Sequence, residues 1–268
     1  MLSTLARTSR YLEPSLERTA IALAAALVDA ETDGRMPRIV GSRHRGVLED
    51  EAFVAAGMLD LFEATGDRRW FEQAVARTRS IEQHFRAEDG GWHGSGSDDG
   101  QALARPYASR DGAEPSGASV HVRTLLRLAA ITGSDAYRQR ADQALRAYAV
   151  PLAEGHLDAM LPAVSWRHAR TLEIVIVAPA GKPHDRSLLN AIDRRIPWRH
   201  VRLLAHEDQP DAVIGTVATG KLAHDGTPTI YVCEAGMCQA PVTGLEGLER
   251  VLDLVAPRHR GKAEPASD

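Results

Sequence analysis

Apolar residues recur at steps of three and four along the first part of the chain, which predicts a series of amphipathic helices. A short apolar side on Met1 to Arg10 predicts one more helix before them. The longer stripes run from Leu12 to Leu27, Phe53 to Phe62, Phe71 to Phe85, Val122 to Ala129 and Tyr137 to Tyr148.

Two of the helix pairs repeat one another in sequence. Leu59 to Asp67 aligns with Leu126 to Ser134, so a Thr-Gly turn at Gly66 recurs at Gly133, 67 residues later. A weaker copy lies at Leu5 to Glu13. Repeated helix hairpins joined alternately by short turns and long loops predict an α/α solenoid or toroid, of which two to three hairpins are present.

The connections between these helices are expected to separate by length. Short turns around Ser9, Gly66 and Gly133 should gather at one end of the helical layer. The long loops, Asp33 to Leu48 and Asp89 to Ser116, should gather at the other end. A cleft is expected where the long loops meet.

Beyond Pro151 the pattern changes to alternating strands and helices. Leu172 to Ala178 is uninterrupted and β-branched, which predicts a buried strand. The other predicted elements are strands at Val201 to Leu204 and Thr229 to Val232, and helices at Asp185 to Arg195 and Leu245 to Val255. We therefore expect a mainly α fold, with a partial α/α toroid of helix hairpins (1–170), a small C-terminal α/β extension (171–256) and a polar tail (257–268).

Composition excludes several classes of partner. A net charge of −4 argues against a nucleic-acid-binding surface, and 5% aromatic residues leave few stacking platforms for bases. No run of about 18 apolar residues exists to span a membrane. Two cysteines and the lack of a targeting segment favour the cytoplasm. The eleven histidines are scattered without ligand spacing, so neither a metal nor a cofactor is expected.

The segment from Arg105 to His121 is dense in proline, glycine and polar residues, which excludes a helix or central strand and predicts an ordered loop. A polar loop on a rigid helical scaffold is a common place for binding or catalytic groups, although it is also a plain solvated connection in many proteins. Four carboxylates precede helices in or near the long loops, and in a toroid they would face one cleft: Glu49, Asp50, Asp111 and Glu114.

Those carboxylates have two interpretations. Converging acids can act as general acid and base on a glycosidic or hemiacetal centre. Alternatively, they are helix-start charges that interact favourably with the macrodipole, worth about 0.3–1 kcal/mol each. Six further side chains are candidate substrate-binding groups, or else surface histidines and core aromatics: His44, Trp92, Arg105, Tyr107, Ser116 and His121.

Cys233 and Cys238 frame four residues directly after a predicted strand. Two thiolates on one turn can bind a metal or cycle as a disulfide. Zinc would need two more ligands, and the spacing differs from Cys-x-x-Cys, so a hairpin turn with unreactive thiols is the alternative that we favour.

The order and spacing of four segments resemble the C-terminal half of the DUF255 family of thioredoxin-domain-containing proteins. These segments are Val47 to Phe53, Arg105-Pro106 with Asp111 to Gly117, Leu172 to Val177, and Tyr231 to Gln239. The resemblance implies an (α/α)6 barrel related to N-acylglucosamine 2-epimerases and six-hairpin glycosidases, preceded by a thioredoxin-like domain. This chain departs from the family pattern, since it has no thioredoxin-like domain and carries Glu51 and Ala118 where relatives tend to have Tyr and Asn.

The resemblance implies a carbohydrate-active domain that binds or isomerises a small sugar. The alternative is a non-catalytic module that partners a thioredoxin-like chain. Half a toroid would leave apolar helix faces uncovered, so self-association or a partner chain that completes the barrel is also expected.

Overall fold

The computed structural model describes residues 1–100, 104–108, 110–149, 163–164, 167, 171–196, 200–213 and 215–256. About half of the chain is helical, so the expected mainly α fold with a small C-terminal α/β part is confirmed. The boundary expected at 170 and the tail expected at 257–268 lie outside the described residues.

The first six helices form three hairpins in two layers. α1, α3 and α5 lie side by side with α3 in the middle, and α2, α4 and α6 back them in turn. Their bounds are α1 Leu2–Tyr11, α2 Leu16–Asp29, α3 Leu48–Thr65, α4 Arg68–His84, α5 Gly117–Thr132 and α6 Asp135–Ala147. This layering matches the predicted helix hairpins, while closure into a toroid stays a prediction.

The two repeats have the same turn chemistry. Gly66 and Gly133 end α3 and α5 in the left-handed conformation that favours glycine, with φ of 74° and 70°. In both turns the threonine hydroxyl donates to the carbonyl four residues earlier, at 2.8 and 2.7 Å. That hydroxyl oxygen in turn accepts the amide of the residue after the glycine, at 3.2 Å in each copy. The sequence repeat is therefore also a structural repeat.

The C-terminal part is a five-stranded sheet with two helices. Its elements are β1 Leu172–Ala178, α7 Arg186–Arg195, β2 His200–His206, a 3-10 turn Pro210–Val213, β3 Thr229–Glu234, β4 Met237–Cys238, β5 Val242–Thr243 and α8 Gly244–Val255. The strand order is β2-β1-β3-β4, with β5 also on β3. β1 runs parallel to β2 from Leu172↔His200 to Ala178↔His206, and antiparallel to β3.

Both faces of this sheet are covered, which explains the uninterrupted apolar run of β1. Val175 and Val177 pack with residues of the helical layer, whereas Ile174 and Ile176 pack with α7 and α8. The short-turn end of the hairpins lies against this sheet, since Gly66 contacts Leu204. We call this the closed end of the helical layer.

A buried ion network holds the closed end together. Arg10 of α1 donates to Glu63 of α3 at 3.0 Å and to Asp193 of α7 at 2.8 Å. Arg202 of β2 donates to the other oxygen of Asp193 at 2.8 Å, and Arg127 of α5 donates to Glu63 at 2.7 Å. These charged side chains are all less than a tenth exposed. The network therefore joins three helices of the layer to the α/β part.

Two predicted core positions are wrong. Leu12 is 81% exposed because α1 ends before it and α2 begins only at Leu16, after Pro14. Phe53 is 39% exposed because α1 covers only the later part of α3, with Leu2 packed on Gly57.

Candidate functional site

The long loops meet at the opposite end of the helical layer, which we call the open end. The starts of α3 and α5 touch there, and a Cβ placed on Gly117 would lie 2.9 Å from the amide nitrogen of Glu49. The Gly117 amide donates to Glu49 Oε1 at 3.4 Å. The open end thus brings together two segments that are 68 residues apart in sequence.

Backbone hydrogen bonds fix the loops across the open end. The amide of Leu48 donates to Gly94 O at 2.8 Å, and the amide of Gly94 donates to Pro106 O at 2.7 Å. Arg105 adds side-chain bonds to the carbonyl oxygens of Ser95 and His84, at 3.1 and 2.9 Å. The predicted substrate-binding residue Arg105 therefore attaches the loop that precedes α5 to the end of α4.

Asp111 and Glu49 are neighbours in this arrangement. Asp111 Oδ1 accepts the Ser116 amide at 2.7 Å, and Glu49 Oε1 accepts the next amide in the chain, that of Gly117. Because consecutive amides lie within ~4 Å of each other, the bonded oxygens of the two carboxylates are less than about 10 Å apart. Asp111 Oδ2 is buried and has no hydrogen-bond partner among the described residues.

The other two predicted carboxylates differ from this pair. Asp50 accepts the Val47 amide at 2.9 Å, which completes the cap of α3, and it pairs with Arg38 at 2.8 Å. Glu114 is exposed, and its backbone carbonyl accepts the Gly112 amide at 2.8 Å. Asp50 thus has the structural role of a helix-start charge, and Glu114 faces solvent.

Trp92 and His121 are fully buried and share one acceptor, Glu82, which the sequence pattern did not single out. The Trp92 indole N–H donates to Glu82 Oε1 at 3.1 Å, and His121 Nε2 lies 2.9 Å from the same oxygen. Arg140 donates to Glu82 Oε2 at 2.5 Å and lies over the Trp92 ring. Both residues were predicted to bind a ligand, but they do not reach solvent and instead form part of the packing at the open end.

Burial and hydrogen bonding set the protonation of this cluster. Burial lowers the pKa of His121, and the bond to Glu82 only partly opposes that effect. Burial alone would raise the pKa of Glu82, but hydrogen bonds from His121 and Arg140 lower it to about 2. A neutral His121 donates from Nε2 to the charged Glu82, and its buried Nδ1 has no partner among the described residues.

The remaining predicted binding residues lie at different depths. Tyr107 is 37% exposed, and its hydroxyl donates to Asp89 at 2.9 Å. Ser116 is buried, and its Oγ accepts the Ser119 amide at 3.1 Å as the N-cap of α5. His44 is exposed and lines a cavity of about 360 Å³ formed by residues 32–45. That cavity includes none of the four predicted carboxylates.

Glu51, expected as a departure from the family pattern, is completely buried at the start of α3. Its carboxylate accepts hydrogen bonds from the side chains of Arg35 and Ser80, at 3.1 and 3.2 Å, and from the Met36 amide at 3.0 Å. Arg77 lies 3.4 Å from its second oxygen. This second ion network anchors the first long loop to α3 and α4.

Cys233 and Cys238 form a disulfide across the β3–β4 hairpin. The predicted hairpin turn is present, with Ala235 and Gly236 both at positive φ, but the cysteines are not free thiols. The bond also removes the cysteine-based argument for a reducing compartment.

Two features are absent from the part of the chain that the structure describes. No helix there is long and apolar enough to cross a bilayer. The same residues contain no group of three or more His, Cys, Asp or Glu side chains arranged to hold a metal ion.

Comparison with known proteins identifies related chains. No family model matches the sequence. The chain is 31% identical to human spermatogenesis-associated protein 20 over 218 residues, which are 77% of this chain and 27% of that protein. The rat protein of the same name is 30% identical over the same shares. An uncharacterized protein of Caenorhabditis elegans is 25% identical over 223 residues, 78% of this chain and 29% of that protein. The chain is therefore related in sequence to spermatogenesis-associated protein 20, and it spans about a quarter of the length of these curated relatives.

Proposed function

We propose that the open end binds a small sugar, with Asp111 as the group that recognises its hydroxyls. One observation carries the proposal: Asp111 is held by the Ser116 amide through Oδ1, while its buried Oδ2 has no partner among the described residues. A buried carboxylate oxygen without a donor costs free energy, so a ligand hydroxyl that donates to it binds favourably.

The sugar class is supported by fold-level analogy. Hairpins of α-helices in two layers, with long loops at one end, resemble the architecture of six-hairpin glycosidases and N-acylglucosamine 2-epimerases. Tyr107 offers a partly exposed ring at this end for packing on a sugar face. Within the proposal, the neighbouring Glu49 and Asp111 serve as general acid and base on a glycosidic or hemiacetal centre. Asp50 positions the first loop, and Glu114 contacts the ligand from the solvent side.

An isosteric substitution tests Asp111 directly. Asp111→Asn keeps one oxygen for the Ser116 amide and changes the free position from acceptor to donor. We expect calorimetric titration with a panel of monosaccharides and disaccharides to show at least one ligand, with affinity lowered at least tenfold in the variant, or about 1.4 kcal/mol.

The matched control is Asp185→Asn, the same change at another carboxylate that accepts a backbone amide, at the start of α7. It should leave sugar affinity unchanged. Equal affinity of wild type and Asp111→Asn would contradict the proposal, as would a panel in which no sugar binds the wild type.

We propose as a second candidate function that the chain associates with a partner, either a second copy or a thioredoxin-like chain. Two exposed apolar side chains favour it, Leu12 directly after α1 and Phe53 near the start of α3. Light scattering should give a mass above that of the single 29.1 kDa chain. Phe53→Ser should weaken the association and lower the measured mass toward that of the single chain. A monomer that co-purifies with no such chain would argue against this candidate.

A further inference from the structure

A crevice lies at the junction of the closed end and the sheet, far from the proposed sugar site. Two adjoining cavities, of about 150 and 300 Å³, form it and share Thr65, His184 and Leu204 as lining residues. We call them together the junction crevice. His184 lies in the connection from β1 to α7, and His206 is the last residue of β2. The crevice therefore opens at the carboxyl ends of the two parallel strands, which is where open α/β sheets bind ligands.

His184 has unused hydrogen-bonding capacity inside this crevice. Both of its ring nitrogens are buried and have no hydrogen-bond partner among the described residues. Its ring centroid lies 4.3 Å from that of His206, so the second imidazole holds the first in place. A neutral imidazole offers one N–H donor and one acceptor, and leaving both buried and unpaired is costly.

Arg202 supplies a second unused donor in the wall of the smaller cavity. The side chain is 2% exposed, its Nε donates to Glu63 O at 3.1 Å, and its Nη1 donates to Asp193 at 2.8 Å. Within the described part of the chain, Nη2 makes no hydrogen bond. Because the hydrogen bonds of Nε and Nη1 fix the guanidinium plane, the position of Nη2 is also fixed.

The ionisable side chains that line the smaller cavity are mainly cationic, and two of the arginines are also paired with Glu63 or Asp193 behind the wall. Its ionisable lining residues other than His184 are Arg10, Arg186, Arg202 and Glu17. Burial and the neighbouring Arg10 lower the pKa of Arg202 to about 10. Burial, His206 and Arg202 lower the pKa of His184 to about 4. Because its pKa is lowered, His184 is neutral at pH 7 and offers an N–H donor, while the arginine side chains of the wall supply the positive charge that attracts an anion.

We propose that the junction crevice binds a small oxyanion, the phosphate or carboxylate group of a metabolite, between His184 and Arg202. The imidazole N–H of His184 and Nη2 of Arg202 donate to its oxygens, and the exposed guanidinium of Arg186 contributes at the entrance. The smaller cavity has the volume of about five water molecules, which is enough for such a group. This site is independent of the proposed sugar site, because it lies at the other end of the helices.

Inorganic phosphate is the first probe, added at constant ionic strength and pH 7 while the histidine ring signals are followed by NMR. We expect the ring signals of His184 and His206 to shift and saturate within tens of millimolar, and the pKa of His184 to rise when phosphate is bound. Glycerol phosphate and acetate then distinguish a phosphate group from a carboxylate. If neither signal saturates with any of the three, the proposal is wrong.

Two variants and a control distinguish binding in the junction crevice from a general effect of charge on phosphate affinity. His184→Gln should weaken phosphate binding at least tenfold, with the His206 ring signal as the readout. Arg186→Ala, at an exposed position, should weaken it several-fold without affecting the fold. His224→Gln, in the β2–β3 connection and in the lining of neither cavity, is the matched control and should bind as the wild type does. Unchanged affinity in Arg186→Ala and His184→Gln alike would overturn the proposal.

Discussion

The two ends of the helical layer use buried charge in different ways. At the closed end, all six carboxylate oxygens of Asp60, Glu63 and Asp193 accept a hydrogen bond from a protein side chain. At the open end, Asp111 Oδ2 and His121 Nδ1 are buried without a partner among the described residues. The carboxylates at the closed end are thus used up in assembling the fold, whereas at the open end the Asp111 carboxylate keeps one oxygen for a ligand.

The sequence repeat makes this contrast sharper. Asp60 and Arg127 occupy equivalent positions in the two copies, 67 residues apart, and form an ion pair at 2.8 Å. The two copies therefore have the same turn but opposite charges at one facing position, and that difference binds α3 to α5 near the closed end.

The largest expected effect comes from breaking the closed-end network at Asp193. Asp193→Ala leaves Arg10 and Arg202 buried without their shared partner, and breaking a buried ion pair in this way costs about 3–5 kcal/mol. We expect urea denaturation to show a loss of that size in the free energy of unfolding.

Asp253→Ala is the control for Asp193→Ala, because Asp253 is 58% exposed and pairs with Arg195 near the surface. Its expected cost is below about 1 kcal/mol. If the two variants lose similar stability, the closed-end network does not hold the α/β part on the helices.

Much of the fold could be predicted from local patterns. The helical stripes and the Thr-Gly turns depend on neighbours within one or two turns, so most were predicted within a few residues of their observed bounds. The predicted loop from Arg105 to His121 was too long, because α5 begins at Gly117 with Ser116 as its N-cap. Phe53 and Leu12 were misplaced because their burial depends on how far α1 extends along α3, and no local pattern reports that distance.

The candidate site was only partly predictable. The proximity of Glu49 to the Asp111 loop followed from the expectation that the long loops gather at one end of the helical layer. Glu82 was missed because its partners, His121 and Arg140, are 39 and 58 residues away, and a charged side chain in the last turn of a helix normally faces solvent. The closed-end network was missed for the same reason, since Arg10 and Asp193 are 183 residues apart.

A smaller effect is expected from separating α3 and α5 at the open end with Gly117→Ala. The added Cβ would lie 2.9 Å from the Glu49 amide nitrogen and from Leu48 Cγ, so the two helix starts must move apart. Overpacking of this kind costs about 1–3 kcal/mol, and the displaced Glu49 would also weaken any sugar binding that involves Asp111. Thermal unfolding and the sugar titration measure the two effects. Gly112→Ala, in the loop that precedes α5, is the matched control, because its added Cβ would meet only a carbonyl oxygen at 4.0 Å. A Gly117→Ala protein as stable as Gly112→Ala would mean that the open end tolerates movement, and that the Glu49–Asp111 pair is not held in place by the helices.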